Sequence, residues 1–208
     1  MKRFSIIGCI IAVFIFVGSA HAAVDRGPYI GIGGSYAIQN FDTDELNDLR
    51  GYGYDPEFDN TWGINAKIGY KFNPVIALEV AFEYLPGFNY NETSRWGYPP
   101  VSIDADIDVW TAVLAAKVYP FPGNVRPYFT AGLGIMNASM DAQVSAAGYF
   151  PESAKEDQTE ACGKIGFGID FFINPNLSFN VEGAYTAGFG DLDDIGYFVV
   201  SAGLGFHF

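Results

Sequence analysis

From Gly27 to the C-terminus, apolar and polar residues alternate one by one in successive stretches. This period of two is typical of β-strands whose two faces meet different surroundings. The stretch 197–208 is the clearest, since bulky apolar residues fill its even positions and most of its odd positions are small or polar. The same alternation predicts further strands at 30–38, 62–72, 78–84, 110–118, 128–135, 164–171 and 177–186. The sequence therefore predicts about eight strands of about 10 to 13 residues, the length that a tilted strand needs to cross a bilayer.

The connections between the predicted strands alternate between short and long. Short turns rich in Pro, Asn and Gly fall at 73–74, 121–125 and 173–176. Long connections fall at 39–60, 86–106 and 140–159, and a shorter one falls at 188–194. Tight turns at one end and long loops at the other are typical of outer-membrane barrels. Beyond this hairpin pattern, the sequence indicates no internal repeat.

Charged residues in the middle of the predicted strands all lie on the face with small or polar residues. They are Lys67, Glu79, Glu83, Lys117, Lys164, Asp170 and Glu182. A Lys or Arg on the lipid side near the bilayer midplane costs about 2–4 kcal/mol, so this face is expected to point into a barrel. The sheet must close, because an open edge in lipid would leave backbone groups unpaired. The predicted fold is therefore all-β, an eight-stranded antiparallel up-and-down transmembrane β-barrel.

These seven inward charges are the candidate site. An eight-stranded barrel has an interior only about wide enough for side chains, so charges of opposite sign are expected to pair there, with lysines opposite glutamates. Such a network has two interpretations. It is structural if pairing only avoids an uncompensated buried charge, and it is functional if it lines a gated or narrow polar path. The structural interpretation is favoured because small barrels are usually filled.

The first 22 residues are typical of a secretory signal peptide. A charged start precedes an apolar run at 6–17, and an A-x-A cleavage pattern ends at Ala22. We expect cleavage there, which leaves residues 23–208 as one barrel domain. Cleavage would remove two basic residues and change the formal net charge from −13 to about −15. It would also leave Cys162 as the single cysteine, so that no intrachain disulfide could form.

Composition narrows the function classes. The 208 residues are 50% apolar and 17% aromatic, so the chain is not a disordered acidic segment. Asp and Glu number 24 against 11 Lys and Arg, an excess that argues against nucleic-acid binding, which needs a basic surface. Most of the acidic residues fall in the predicted long connections rather than in the strands.

Three segments resemble strands of small outer-membrane β-barrel proteins. GPYIGIGG at 27–34 resembles their first strand, RPYFTAGLG at 126–134 their fifth, and SAGLGFHF at 201–208 their last. The family includes the membrane domain of outer-membrane protein A, opacity-type adhesins and small porin-like barrels. The resemblance extends over 23–208 and is specific for architecture rather than activity. It implies that Phe208 is part of a C-terminal signal for barrel assembly.

The resemblance also implies a location and partners. The expected location is the outer membrane of a Gram-negative-type bacterium, in contact with its lipid and lipopolysaccharide. The implied partners are the barrel-assembly machinery, periplasmic chaperones and, through the long extracellular loops, a host or surface ligand. The implied function is a structural or surface-interaction role, such as membrane integrity or contact. The alternative is a passive porin-like channel for small solutes.

No catalytic or cofactor site is predicted. His207 is the only histidine after the predicted cleavage point. The nearest inward serine is expected to be Ser201, six residues along the strand and about 20 Å away at 3.3 Å per residue, whereas general-base chemistry needs hydrogen-bond reach. Cys162 has no neighbouring histidine in sequence and is expected to be an inert thiol.

Two of the predicted long connections leave alternatives open. The first is acidic from Asp42 to Asp59, but it lacks the ligand and glycine spacing of an EF-hand loop. It is either a solvated loop, which predicts no metal site, or a binder of a divalent ion shared with lipopolysaccharide phosphates. The second carries Phe88, Tyr90 and Trp96, which either anchor a partner or pack over the barrel mouth.

Aromatic residues near the predicted strand ends are expected to form girdles at the two membrane interfaces. They are Trp62, Tyr70, Phe72, Tyr84, Trp110, Tyr119, Phe121, Phe171, Tyr185 and Phe208.

Overall fold

A computed structural model describes residues 26–39, 60–93, 101–146, 152–193 and 195–208. The predicted signal peptide and most of the acidic first connection lie outside these residues. The strands are β1 (Gly27–Gln39), β2 (Thr61–Lys71), β3 (Ile76–Thr93), β4 (Val101–Val118), β5 (Val125–Ala146), β6 (Glu152–Asn174), β7 (Leu177–Gly188) and β8 (Gly196–His207), with a single turn of 3-10 helix at Gly190–Leu192. In the described part of the chain, no helix is both long and apolar enough to cross a membrane.

Each strand pairs antiparallel with the next, and β8 pairs with β1, so the sheet closes into an eight-stranded barrel. The predicted fold class is confirmed. The alternation of the sequence becomes an alternation of environment, since outward residues are apolar and inward residues small, polar or charged. Trp62 on β2 faces outward and is 73% exposed, whereas Glu182 on β7 faces the interior and is 2% exposed.

Two hairpins are longer than the sequence predicted. β3 and β4 have 18 residues each, and β5 and β6 have 22 and 23. Pairing continues to Thr93↔Ser102 in the first hairpin and to Val144↔Glu152 in the second. The prediction that 86–106 and 140–159 are long loops is therefore wrong. Beyond the lipid both faces of a strand can meet water, so the ladder continues without the apolar alternation that marks a membrane span.

The four long strands extend beyond the closed barrel. β2 pairs with β3 only as far as Ile64↔Tyr84, and β6 pairs with β7 only as far as Cys162↔Gly188. Past these levels β3 to β6 continue as a four-stranded antiparallel sheet at the end opposite to the strand termini Gly27 and His207. Because outer-membrane barrels keep their short turns in the periplasm, we expect this sheet to lie on the extracellular side. We call it the extracellular sheet.

A bulge marks the base of the extracellular sheet. The register between β3 and β4 shifts between Leu85 and Phe88, and Gly87 there has a φ of 69°, a conformation that favours glycine. The backbone N–H of Gly87 donates to Asp108 Oδ1 at 2.7 Å. This bend separates the membrane-spanning part of the hairpin from its extension.

The periplasmic turns are tight, as their sequences predict. Asn73 Oδ1 accepts hydrogen bonds from the backbone N–H groups of Val75 and Ile76, both at 2.8 Å. Asn174 Oδ1 accepts one from the N–H of Asn176 at 2.9 Å. Asparagine side chains here take the place of a backbone carbonyl, which allows the chain to reverse within a few residues.

The aromatic residues at the strand ends are outward, with one exception. Trp62, Phe72, Phe121 and Phe208 are exposed on the outer wall or at its rim. Tyr119 is only 1% exposed and points inward, so its assignment to a girdle is wrong. It lies two residues beyond Lys117 and therefore continues the inward face of β4.

The backbones of neighbouring strands approach each other closely at several glycines, among them one on each of two opposite sides of the barrel. A Cβ atom built on Gly33 of β1 would lie 2.4 Å from the carbonyl oxygen of Ala202 on β8. A Cβ on Gly132 of β5 would lie 2.5 Å from the carbonyl oxygen of Leu114 on β4. Glycine is required at both points because the adjacent backbone occupies the space of a side chain.

Gly33→Ala is expected to destabilise the barrel, whereas Gly34→Ala is not. A Cβ on the neighbouring Gly34 would meet its nearest atom at 3.9 Å, so this variant is a matched control. Overpacking against fixed backbone costs about 1–3 kcal/mol. Urea unfolding in detergent, followed by the gel mobility of unheated samples, measures the difference. Equal midpoints for the two variants would contradict the close approach at the seam.

Candidate functional site: the interior of the barrel

The centre of the barrel holds a network of buried ion pairs around Glu182. Lys164 Nζ lies 2.9 Å from its Oε1, and Lys67 Nζ lies 3.2 Å from its Oε2. Lys117 Nζ lies 2.8 Å from Glu79 Oε2 and 3.9 Å from Glu182 Oε2, so it joins the two carboxylates. These five side chains come from β2, β3, β4, β6 and β7 and meet across the interior. All are nearly inaccessible to solvent.

Tyrosine hydroxyl groups complete the coordination of the buried carboxylates. Tyr29 donates to Glu79, Tyr128 to Glu182 and Tyr119 to Asp170, each at 2.8 Å. A carboxylate has several acceptor sites, and a tyrosine fills one of them without adding a charge. The sequence reasoning missed these tyrosines. The sequence did indicate them, because Tyr29 and Tyr128 alternate with outward apolar residues and so lie on the inward face of their strands.

The other predicted charges lie beside this network. Glu83 Oε1 accepts a hydrogen bond of 2.7 Å from Ser35, whose oxygen in turn accepts one of 2.9 Å from Asn65. Tyr197 donates to the second oxygen of Glu83 at 3.4 Å. Asp170 is buried and held by Tyr119. Five of the seven predicted residues thus form one cluster, and Glu83 and Asp170 extend it towards the two ends of the barrel.

The interior repeats one arrangement in its two halves. Tyr29 on β1 pairs in register with Gly69 on β2, which pairs with Glu79 on β3. In the same way Tyr128 on β5 pairs with Gly168 on β6, which pairs with Glu182 on β7. Each tyrosine ring lies over its glycine, where a Cβ atom would be 2.4 or 2.5 Å from the ring, and each hydroxyl reaches its glutamate.

The periplasmic end of the interior is closed by a layer that we call the floor. It contains the rings of Tyr29, Tyr119, Phe172 and His207 and the cationic side chains of Lys71 and Arg126. Lys71 Nζ lies 4.2 Å and Arg126 Cζ 5.0 Å from the centre of the Phe172 ring. Such contacts suit a cation held in a poorly hydrated layer. The sequence reasoning did not include these two cations in the network, although Lys71 follows Lys67 at a spacing of four.

The extracellular end of the interior is apolar, and we call this layer the ceiling. It includes Leu85, Phe88, Val109, Val113, Met136, Cys162, Leu192, Tyr197 and Val199. Leu192 comes from the connection between β7 and β8, so that part of this connection packs into the barrel mouth. Phe88 is fully buried here, which favours the packing interpretation for this aromatic; the side chains of Tyr90 and Trp96 lie outside the described part.

The side chains of His207 and Cys162 are both buried in the barrel interior, at opposite ends. His207 Nε2 lies 2.9 Å from Ser178 Oγ on the neighbouring strand β7. The expectation that Ser201 is the nearest inward serine is wrong, because spacing along one strand does not show which residue of the next strand lies alongside. Both members of this pair are buried. The Cys162 thiol is buried in the ceiling.

The acidic connection from Asp42 to Asp59, where a divalent ion was considered, lies outside the described part. Among the residues that are described, no group of His, Cys, Asp and Glu side chains has the arrangement of a metal site.

Glu182→Gln is expected to destabilise the folded barrel by about 3–5 kcal/mol, because it leaves buried lysines without their carboxylate. Adding Lys164→Met should recover part of the loss, since it removes one of the uncompensated charges. Urea unfolding in detergent of the single and double variants measures the coupling. Additive effects of the two substitutions would show that the 2.9 Å contact carries no net interaction.

Comparisons with known proteins give the family. Residues 9–208 match the family described as the outer membrane protein beta-barrel domain. Outer membrane protein A of Shigella flexneri is 25% identical over 142 residues, which are 68% of this chain and 37% of that protein. The chain thus spans little more than a third of the length of this relative.

Two solved structures share the fold. Ail, the attachment invasion locus protein of Yersinia pestis, solved in complex with the heparin analogue sucrose octasulfate, has a TM-score of 0.56 at 19% identity; the match covers 89% of this chain and all of Ail. Neisserial surface protein A has a TM-score of 0.55 at 16% identity, over 88% of this chain and 97% of that one. With a closed eight-stranded barrel, an apolar outer wall and a family match over most of its length, this chain belongs to the outer membrane β-barrel family and is a protein of the bacterial outer membrane.

Proposed function

We propose that this protein is a closed barrel that acts through its extracellular surface and its presence in the membrane, rather than as a channel. The observation that carries the proposal is the filling of the interior along its whole length. The floor, the ion-pair network and the ceiling follow one another, and each consists of side chains that are almost inaccessible to water. A passive channel needs a continuous hydrated path.

The ion-pair network supports the structural interpretation of the inward charges. In the described part of the chain, the buried carboxylates of Glu79, Glu83, Asp170 and Glu182 each accept a hydrogen bond from a tyrosine, and those of Glu79 and Glu182 lie within 4 Å of lysines. Opening a path would separate buried charges from their partners, which costs several kcal/mol per pair. The network therefore stabilises the closed state and fixes the positions of five strands.

The extracellular sheet supports a surface-interaction role. It continues the barrel wall into the extracellular space over many residues of β3 to β6. A rigid sheet presents residues at lower entropic cost than free loops do. The membrane-spanning strands by themselves require no such extension, which is why we relate it to contact with a partner.

Charge indicates the class of that partner. The described residues at this end of the barrel, 86–93, 101–108, 141–146, 152–160 and 189–193, contain 11 acidic residues and one basic one. Such a surface attracts cationic partners and repels anionic ones. Although Ail was solved with a sulfated sugar, we infer that a heparin-like polyanion does not suit this surface.

No conductance steps are expected when the purified protein is reconstituted in a planar bilayer. The result that would favour the porin alternative is stepwise current that changes with Glu182→Gln, a substitution inside the barrel. Asp193→Asn is the matched control, because it removes the same charge at an exposed position in the β7–β8 connection. Current that changes equally in both variants would reflect surface charge rather than passage through the interior.

The protein is expected to pass through a heparin column at about 0.15 M salt and to bind immobilised polylysine in a salt-dependent manner, since surface charges are screened over about 8 Å at that ionic strength. Retention on heparin would contradict the inferred partner class. Binding to polylysine that resists high salt would show that the contact is not electrostatic.

A further inference from the structure

His207 lies where the barrel closes, and its ring contacts three other strands. Nε2 is 2.9 Å from Ser178 Oγ on β7. The ring stacks on Tyr29 of β1 with centroids 5.3 Å apart, and it lies 4.9 Å from the ring of Phe172 on β6. One inward side chain at the end of β8 therefore joins the last strand to β7 and, across the closing seam, to β1.

Hydrogen bonds around His207 hold the end of β8 to both of its neighbouring strands. Its N–H donates to the carbonyl of Asn176 at 2.8 Å, and its own carbonyl accepts from the Asn176 side-chain amide at 2.8 Å. The N–H of Phe208 donates to the carbonyl of Pro28 at 3.1 Å. The bond to Pro28 is at the end of the closing seam and the bonds to Asn176 are at the end of the β7–β8 pairing, and strand ends open at lower free energy than strand centres. The side-chain contacts of His207 thus lie where the closure is easiest to lose.

The charges that face His207 are mostly positive. Lys71 on β2 and Arg126 on β5 approach the Phe172 ring that His207 also contacts. Lys117 on β4 lies deeper, beside Glu79. Among the described residues, the negative group near this layer is Asp170 on β6, which accepts from Tyr119. The uncharged neighbours are Tyr29 on β1, Phe172 on β6 and Ser178 on β7.

We propose that His207 is an acid-sensitive latch on the closing seam. While its imidazole is neutral, it holds the periplasmic end of β8 against β7 and β1. When the imidazole gains a proton, a further cation stands in a buried layer that already holds Lys71 and Arg126, and this end of β8 loosens because exposure to water relieves the buried charge. The inference is independent of the proposed function.

The sign of the pH dependence follows from this burial. If opening gives the imidazole access to water and distance from the cations, the open or unfolded barrel binds the proton more readily than the closed one. Stability then rises with pH through the titration range of histidine and is lost as the pH falls through it. One such group changes the folding equilibrium by at most about tenfold per pH unit.

The test compares wild type with His207→Gln, whose amide can still bond to Ser178 but does not titrate. Urea unfolding of the full chain in detergent is measured from about pH 8 to about pH 4. Carboxyl groups titrate in both proteins, so the ratio of their folding constants reports His207. We expect the folding constant of the wild type, divided by that of the variant, to fall as the pH is lowered below the usual histidine pKa of about 6.5. The fall should be up to about tenfold per pH unit. A ratio independent of pH would overturn the proposal.

Two further measurements keep the latch distinct from a merely structural histidine. Ser178→Ala removes the hydrogen-bond partner but keeps the imidazole, so its stability should still depend on pH in the wild-type manner. NMR of labelled histidine in the wild type should show protonation together with loss of the β8 end. Protonation with β8 intact would overturn the proposal even if the glutamine variant failed to fold.

Discussion

Hydrocarbon offers no hydrogen bonds, and this constraint determines most of the structure. A strand in lipid has to pair on both edges, which is achieved here by closing β8 onto β1. The same constraint places the charges, because a lysine that faced lipid would lose its hydration without a partner. The five membrane-embedded cations Lys67, Lys71, Lys117, Arg126 and Lys164 accordingly lie inside the barrel.

Charges collected inside a narrow barrel create a second requirement, which the three interior layers meet. In the centre, lysines and glutamates pair, and tyrosines supply neutral donors to the remaining acceptor sites. At the periplasmic end, aromatic rings surround two further cations, whereas the extracellular end is closed by apolar side chains. The centre of the barrel is therefore held by ion pairs and hydrogen bonds, and both of its ends are closed to water by packed side chains.

The membrane-spanning strands and their two faces could be predicted because lipid and interior impose opposite polarity on successive residues. The same reasoning failed for β3 to β6 beyond Leu85, where that contrast ends and backbone pairing continues without a sequence pattern. It also assigned Tyr119 to a girdle because this residue is near a strand end. The alternation along β4 puts Tyr119 on the inward face, and the structure shows it buried there. The signal peptide and the role of Phe208 in assembly remain predictions.

The sequence by itself determined that this chain forms a membrane barrel, which residues face inward and which sign of charge each inward residue carries. These properties follow from local alternation, and alternation is written residue by residue. Only the tertiary structure decided that Lys67 meets Glu182, 115 residues away, and that His207 lies beside Ser178. Such contacts depend on the register of each strand pair and on which strands face one another across the closed barrel, and neither is encoded within a single strand.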